Sequence, residues 1–406
     1  METIAYPPPS KGPDRLIWQA LQEGELLPED ADRLLTMGIP WWKVAMHVQD
    51  WNWWRTQPLN LAPPIDIPWE IETWDATVQL KCGDLNLWID PGLEAPIPTL
   101  SPDAIVITHA HYDHTAALEC FCEQFPYASV IMTHETAKLL NLRQSYINSL
   151  SRARLTDYCE TVWIAGSQIN LLPAGHLLGA AMVEVQSSGA NFLISSDFAL
   201  REVGGLPGAQ LPDRAYQVVL LENNTASRRS LPFADPSISR QFLLKDIARH
   251  LQLQNNKAQL VCQAFGQAQE VYASLILAQR AGAFPDLTIR FRGLAAEAAW
   301  EFERAFRSAS PVWKTPVLIQ IADALMEDTL IITSESRNES DANLESPFVF
   351  RPTSIHTHSS WGERLAIGLG LRCDRIFLYH GKESSLLTDF RSLGRHVEYT
   401  PTPLPQ

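Results

Sequence analysis

Three histidines and an aspartate fall within six residues, His109, His111, Asp113 and His114, directly after the apolar run Ile105-Val106-Ile107. Imidazole and carboxylate are the side chains that bind zinc and manganese. A lone histidine in a core is usually a packed residue, but four ligand-type side chains at this spacing call for a metal. Alternation predicts His109 and His111 on one face of a strand. Asp113 and His114 then sit on the turn beyond it, placed to reach a second ion. The same setting, a polar residue closing an apolar strand before a turn, recurs at His176 in LLPAGHLLGAA, Asp197 in NFLISSDF and His380 in DRIFLYHG. The Asp197 carboxylate is suited to bridge two ions. Asp90 closes LWIDPG and reads as an outer carboxylate that orients a histidine ligand. Two divalent ions roughly 3.5–4 Å apart lower the pKa of a shared water and clamp a phosphodiester. The departing alkoxide needs a proton, which a histidine held cationic by a carboxylate can donate.

The elements that must deliver these residues are mostly short strands. ATVQLKCGDLNLWID alternates apolar and polar positions around Gly83-Asp84 and reads as a hairpin. DAIVITHAH, SVIMTH, VWIAG, INLLPAGH, MVEVQSSGANFLISSDF and VVLLEN are further β-rich runs, with AALECFCEQF and ETAKLLNLRQSYINSLS as helices between some of them. Residues 240–310 turn helix-rich, with ISRQFLLKDIARHLQ, GQAQEVYASLILAQRAG and AAEAAWEFERAFRSA separated by the strands AQLVCQAF and LTIRFRG. Strand character returns in RIFLYHG. The opening is different: eight of the thirteen tryptophans lie in residues 1–74, among short amphipathic helices and prolines. Rings at that density must be buried, on this chain as a docked helical cap or on a partner.

HAHYDH, PAGH, SSDF and the closing YHG resemble, in order, the metal motifs of the metallo-β-lactamase superfamily. The match narrows to the β-CASP nucleases, the group of ribonuclease J and the cleavage-and-polyadenylation endonuclease. That group inserts an α/β domain after the fourth motif, as AQLVCQAFGQAQEVYASL and PDLTIRFRGLAAEAAWEF suggest here, although Gln267 stands where the family has an arginine. It adds an acidic residue at an inner strand end, Glu222 in VVLLEN. It also adds a histidine ahead of the last metal ligand; His358 in HTHSSW stands 22 residues before His380. The resemblance covers residues 76 to 385. It implies an α/β protein: a metallo-β-lactamase αββα sandwich over 71–222 and 351–406, a β-CASP insertion over 223–350, and a tryptophan-rich helical extension over 1–70. It further implies that His109, His111 and His176 bind one metal and Asp113, His114 and His380 the other, with Asp197 bridging. It implies too that Asp113, Glu222 and His358 form the catalytic set, the last two protonating the leaving oxygen. His356 shares a strand face with His358 and competes with it, but the spacing favours His358. The implied cofactors are two divalent ions, zinc with manganese as the alternative. The implied activity is RNA cleavage, endonucleolytic or 5′-exonucleolytic, and RNA is favoured over DNA by His380.

Composition narrows the choice further. At 406 residues the chain exceeds the usual size of one core, and 46% apolar with 19% charged residues describes a packed globular protein. No apolar run reaches the roughly 18 residues a membrane helix needs, and the N-terminus has no basic-then-apolar signal. The cytoplasm is therefore the expected compartment, with six reduced cysteines. A net charge of −14 excludes a protein that clings to nucleic acid through its whole surface. Three readings follow. A phosphodiesterase acting on single-stranded RNA fits the full ligand set. A small ester, thioester or lactam hydrolase fits the metals, but not the 135 residues between Glu222 and His358. A scaffold subunit would use the tryptophan-rich N-terminus, through which a protein partner or a second copy could bind.

Overall fold

The computed structural model describes residues 68–400, except 144–146, 211–213, 225–235, 255–256, 321–328, 335–348, 353–356, 360–362, 365–366, 369–370, 382–384 and 393–395. The helical extension expected over 1–70 thus lies outside the described residues up to position 67, and so does His356. Trp69 and Glu70, assigned to that extension from the sequence, instead open the first strand.

Six strands form the first sheet in chain order: β1 (Trp69–Trp74), β2 (Thr77–Cys82), β3 (Leu85–Ile89), β4 (Ala104–Val106), β5 (Ser129–Thr133) and β6 (Ala153–Thr156). The Gly83-Asp84 turn joins β2 to β3, with Cys82 opposite Leu85. The second sheet begins with β7 (Thr161–Ile164), β8 (Ser167–Pro173), β9 (Ala181–Ser187), β10 (Ala190–Ile194) and β11 (Ala215–Glu222). The β9–β10 hairpin turns through Ser188 and Gly189, both at positive φ, the geometry that matches strand twist. β11 pairs in parallel with β10, and from its second residue on it is buried at every position, as a central strand covered on both faces must be.

After β11 the chain leaves the sandwich and builds a four-stranded, all-parallel sheet. Its strands are β12 (Lys257–Cys262), β13 (Thr288–Phe291), β14 (Thr329–Ser334) and β15 (Val349–Phe350), in the order β13-β14-β12-β15. β14 was not foreseen from the sequence, yet it lies at the centre of this sheet with every residue buried. The chain then returns as β16 (Arg372–Tyr379), parallel to β11, and β17 (Val397–Tyr399) completes the second sheet.

The two large sheets face each other. Val78, Leu80, Leu87, Ile89 and Val106 of the first share one core with Leu171, Val183, Phe192, Ile194, Val218 and Leu220 of the second. Helices cover the outer faces. Near the site these are the single turn α1 (Tyr112–Thr115), α2 (Leu118–Gln124), α3 (His134–Asn141) and α4 (Ile147–Arg152). Trp88, on the outer side of β3, sits edge-on to Phe121 of α2 at 5.3 Å and stacks on Trp74 at 5.2 Å. The insertion carries α5 (Pro236–Leu253), α6 (Gln267–Arg280) and α7 (Leu294–Phe306), and α8 (Ser385–Ser392) lies near the C-terminus. Among the described residues no helix is long and apolar enough to cross a membrane.

Register brings the chemistry together. Parallel pairing aligns Ile89 with Val106, Ile194 with Leu220, and Glu222 with Tyr379. The C-terminal ends of β3, β4, β10, β11 and β16 therefore share one edge of the sandwich, and the chain segments leaving them carry the candidate residues.

Candidate metal centre

The first departure from the sequence reading is local. β4 ends at Val106, so His109 and His111 do not lie on a strand. The reason is Asp90. Its Oδ1 accepts from the Thr108 backbone N–H at 2.8 Å, which removes that group from the ladder. Its Oδ2 accepts from the Thr108 hydroxyl at 2.5 Å and from His114 Nδ1 at 2.8 Å. Beyond Thr108 the chain runs irregularly to His111, which starts the helical turn holding Asp113 and His114. Gly92 lets the segment after β3 press on that turn, since a Cβ there would lie 1.8 Å from the Asp113 carbonyl oxygen. Backbone strain clusters at the site: Asp75, Asp90, Ser196 and His380 all have positive φ near 50°, a conformation that non-glycine residues hold only when the surroundings enforce it.

Three imidazoles converge by their inner nitrogens. His109 Nε2 and His176 Nε2 each lie 3.1 Å from His111 Nδ1. The outer nitrogens of His109 and His111 are claimed by oxygen. The Thr108 hydroxyl, already donating to Asp90, accepts from His109 Nδ1 at 3.0 Å. The Phe265 carbonyl of the insertion accepts from His111 Nε2 at 3.1 Å, while His176 Nδ1 is buried without a hydrogen-bond partner. This assignment puts the His109 and His111 ring protons outward, so their lone pairs point at one another beside His176 Nε2, an arrangement that a shared cation satisfies. Burial holds His109 and His176 well below the ordinary histidine pKa and brings His111 down to about 4, so all three are neutral near pH 7.

The second group has the opposite electrostatics. His114 Nε2 faces Asp197 Oδ2 at 3.3 Å and Asp113 Oδ2 at 3.8 Å. His380 Nε2 lies 3.6 Å from Asp197 Oδ1 and 3.8 Å from Asp113 Oδ2. Burial opposes charge on both rings, but Asp197 and Asp90 raise the His114 pKa well above its usual value. Asp197 and Asp75 raise that of His380. Asp197 sits between the two groups, with His109 and His176 at 3.7 and 3.8 Å from Oδ2. Burial would raise its pKa; His358, His114 and His380 hold it well below the carboxylate range.

Both Asp197 oxygens and His114 Nε2 are buried without a hydrogen-bond partner. A buried carboxylate left in that state is costly, and a divalent cation removes the cost. The donor set fits: His109, His111, His176 and Asp197 cluster as one candidate ligand group, and Asp113, His114 and His380 as another.

Each of the seven metal ligands expected from the sequence is in this cluster. Asp90 orients His114, and His358 Nδ1 faces Asp197 Oδ2 at 3.3 Å. Glu222 lies at the same centre with Asp197 and His358, but its immediate partners are others. The Ser359 hydroxyl donates to its Oε1, the Arg364 guanidinium pairs with it at 3.3 Å, and the Asn224 backbone N–H donates to Oε2 at 2.9 Å. Five contributors were missed from the sequence: Thr108, Asp75 (which accepts from His380 Nδ1 at 3.0 Å), Asn224, Ser359 and Arg364. Thr108 adjoins a ligand and so had a signal. Asp75 lies 305 positions from its histidine and had none.

Comparison with known proteins agrees with this geometry. Residues 89–232 match the family model for the metallo-beta-lactamase superfamily. The chain is 27% identical over 207 residues to cleavage and polyadenylation specificity factor subunit 3-I of Arabidopsis thaliana, covering 46% of this chain and 29% of that one. It is 23% identical over 197 residues to endoribonuclease YSH1 of Saccharomyces cerevisiae, covering 42% of this chain and 25% of that one. The chain thus spans less than a third of the length of these curated relatives. Its fold resembles a crystal structure of a protein of unknown function from Enterococcus faecalis, with a TM-score of 0.53 at 12% identity over 84% of this chain and 98% of that one.

Proposed function

We propose that this chain is a metal-dependent phosphodiesterase of the metallo-β-lactamase superfamily, with a β-CASP-type insertion, that cuts single-stranded RNA. The observation that carries the reading is the convergence of lone-pair imidazoles and partnerless carboxylate oxygens at one strand edge. His109, His111 and His176 would hold one divalent ion and Asp113, His114 and His380 the other, with Asp197 shared. Zinc suits these imidazole and carboxylate donors, and manganese is the alternative. When bound, such ions lower the pKa of water and draw charge from phosphoryl oxygens.

The protein's own groups supply the rest. Asp113 is the most exposed of the carboxylates in the cluster, at 44% of its side chain, and is placed to take a proton from the attacking water. His358, 16% exposed beside Asp197, faces both solvent and the cluster, where it can give a proton to the departing oxygen. Glu222 fixes the floor behind it. The RNA assignment draws on the relatives, whose names describe a cleavage and polyadenylation factor and an endoribonuclease. The 71–222, 223–350 and 351–406 division is part of the same proposal, with the substrate entering where the insertion meets the strand edge. A protein partner for residues 1–70 is also proposed.

The test is incubation of the zinc- or manganese-loaded protein with labelled single-stranded RNA, single-stranded DNA and a simple phosphodiester. Preferred cleavage of RNA is the expected result, and internal cuts or 5′-end trimming would define the polarity. Cleavage of the simple diester alone would replace this reading with a small-molecule hydrolase.

A further inference from the structure

The segment that carries His358 is tied to the sandwich by two ion pairs of reversed polarity. Arg201, four residues after Asp197, donates from Nη1 to the His358 carbonyl at 3.1 Å. The same guanidinium pairs with Glu363 at 2.7 Å, and the Arg201 backbone N–H donates to the other Glu363 oxygen at 2.8 Å. The next residue reverses the arrangement. Arg364, fully buried, reaches back to Glu222 at 3.3 Å and donates from Nη2 to the Ser359 carbonyl at 2.9 Å. The Ser359 hydroxyl donates to the same Glu222 oxygen.

Consecutive carbonyls, those of His358 and Ser359, are thus each gripped by a guanidinium, and each guanidinium is answered by a buried carboxylate. One carboxylate is on the segment and one is on β11. Swapping the two pairings would set like charges together, so the contacts admit only one placement of the segment. Planar guanidinium forks define direction as well as distance. The His358 ring therefore has a backbone held from both sides, while its Nδ1 faces Asp197.

We propose that Arg201 and Glu363 are positioning residues for His358: their ion pair sets the backbone from which the imidazole meets the leaving oxygen. This rests on the reading of His358 as proton donor. Neither residue belongs to the candidate ligand set, so losing the pair should leave metal binding intact while moving the donor. A displacement of about 1 Å costs up to about 100-fold in rate.

The experiment uses the full metal-loaded chain and the variants Glu363→Gln, Arg201→Met and Arg201→Lys. The isosteric Glu363→Gln is the safeguard should Arg201→Met fail to fold. One readout is kcat and KM on labelled single-stranded RNA. The other is the ring resonance of His358 in histidine-labelled protein, identified by its loss in His358→Gln. In Glu363→Gln and Arg201→Met, kcat should fall about 10–100-fold with KM and metal content unchanged, and the His358 resonance should shift or split. Arg201→Lys, which keeps the charge, should recover part of both. A folded Glu363→Gln whose His358 resonance and kcat match the wild type overturns the proposal. If the wild type cuts no RNA, the functional reading fails by itself, and the resonance still decides whether the pair positions His358.

Discussion

Replacing Asp90 with asparagine should weaken one metal subsite and spare the other. The Asp90 carboxylate accepts three hydrogen bonds, from the Thr108 backbone, the Thr108 hydroxyl and His114 Nδ1. An asparagine keeps one oxygen and turns the second acceptor into a donor, so at least one of these partners meets an N–H instead of a lone pair. If the oxygen stays with the Thr108 backbone N–H, His114 loses the contact that directs its Nε2 at Asp197 and Asp113. Losing such an orienting partner costs about 10–100-fold in metal affinity, equivalent to about 1.4–2.8 kcal/mol. If the oxygen instead follows His114, the Thr108 backbone N–H is left unpaired in a buried site, and stability falls by about 1–3 kcal/mol. Competition of zinc against a chromophoric chelator separates the two cases. We expect two binding steps in the wild type and, in Asp90→Asn, one step weakened about 10–100-fold or a clear drop in the melting temperature. Two unshifted steps and an unchanged melting temperature would refute the role assigned to Asp90.

Three further outcomes follow from the same geometry. His358→Ala should retain metal and lose RNA cleavage, whereas His111→Ala should lose both; metal analysis paired with a cleavage assay separates them. Gly92→Ala would set a methyl group against the Asp113 carbonyl, so stability should fall by about 1–3 kcal/mol or more and zinc affinity with it; a soluble variant with unchanged affinity would contradict the close approach. In the metal-free chain, the depressed pKa values of His109, His111 and His176 contribute stability present above the unfolded value of about 6.5 and lost as pH falls toward the folded values, about 4 for His111. The raised values of His114 and His380 act oppositely: their contribution is complete below about 6.5 and is lost as pH rises through their folded values. The site's contribution should therefore peak near pH 6.5. Thermal melts that rise or fall monotonically from pH 4 to 9 would contradict it.

The candidate ligands were legible in the sequence because each one stands at or just beyond an apolar strand's end, and parallel pairing then brings those ends together. His176, Asp197 and His380 lie far from HAHYDH in the chain, yet the shared setting of a polar residue before a turn is what unites them at one edge. Less legible was the exact course of the backbone. IVITHAH alternates like a strand, but the Asp90 carboxylate captures Thr108 and ends the ladder at Val106. The partners of the ligands were mostly hidden. Asp75 belongs to a tight turn and Arg364 to a segment with no periodic signal, and both act across more than a hundred residues. β14 was missed because TLIITS lies in polar surroundings, and its role as a central strand comes from pairing with β12 and β13. Glu222 lies beside Asp197 and His358, but only the fold shows that Ser359 and Arg364 occupy it.

Elemental analysis of the purified chain, before and after dialysis against zinc or manganese, tests the metal centre most directly. The convergent imidazoles and the shared Asp197 predict two transition-metal ions per chain, reduced in His111→Ala. A fully folded wild-type protein that holds no metal even when both ions are offered would contradict it.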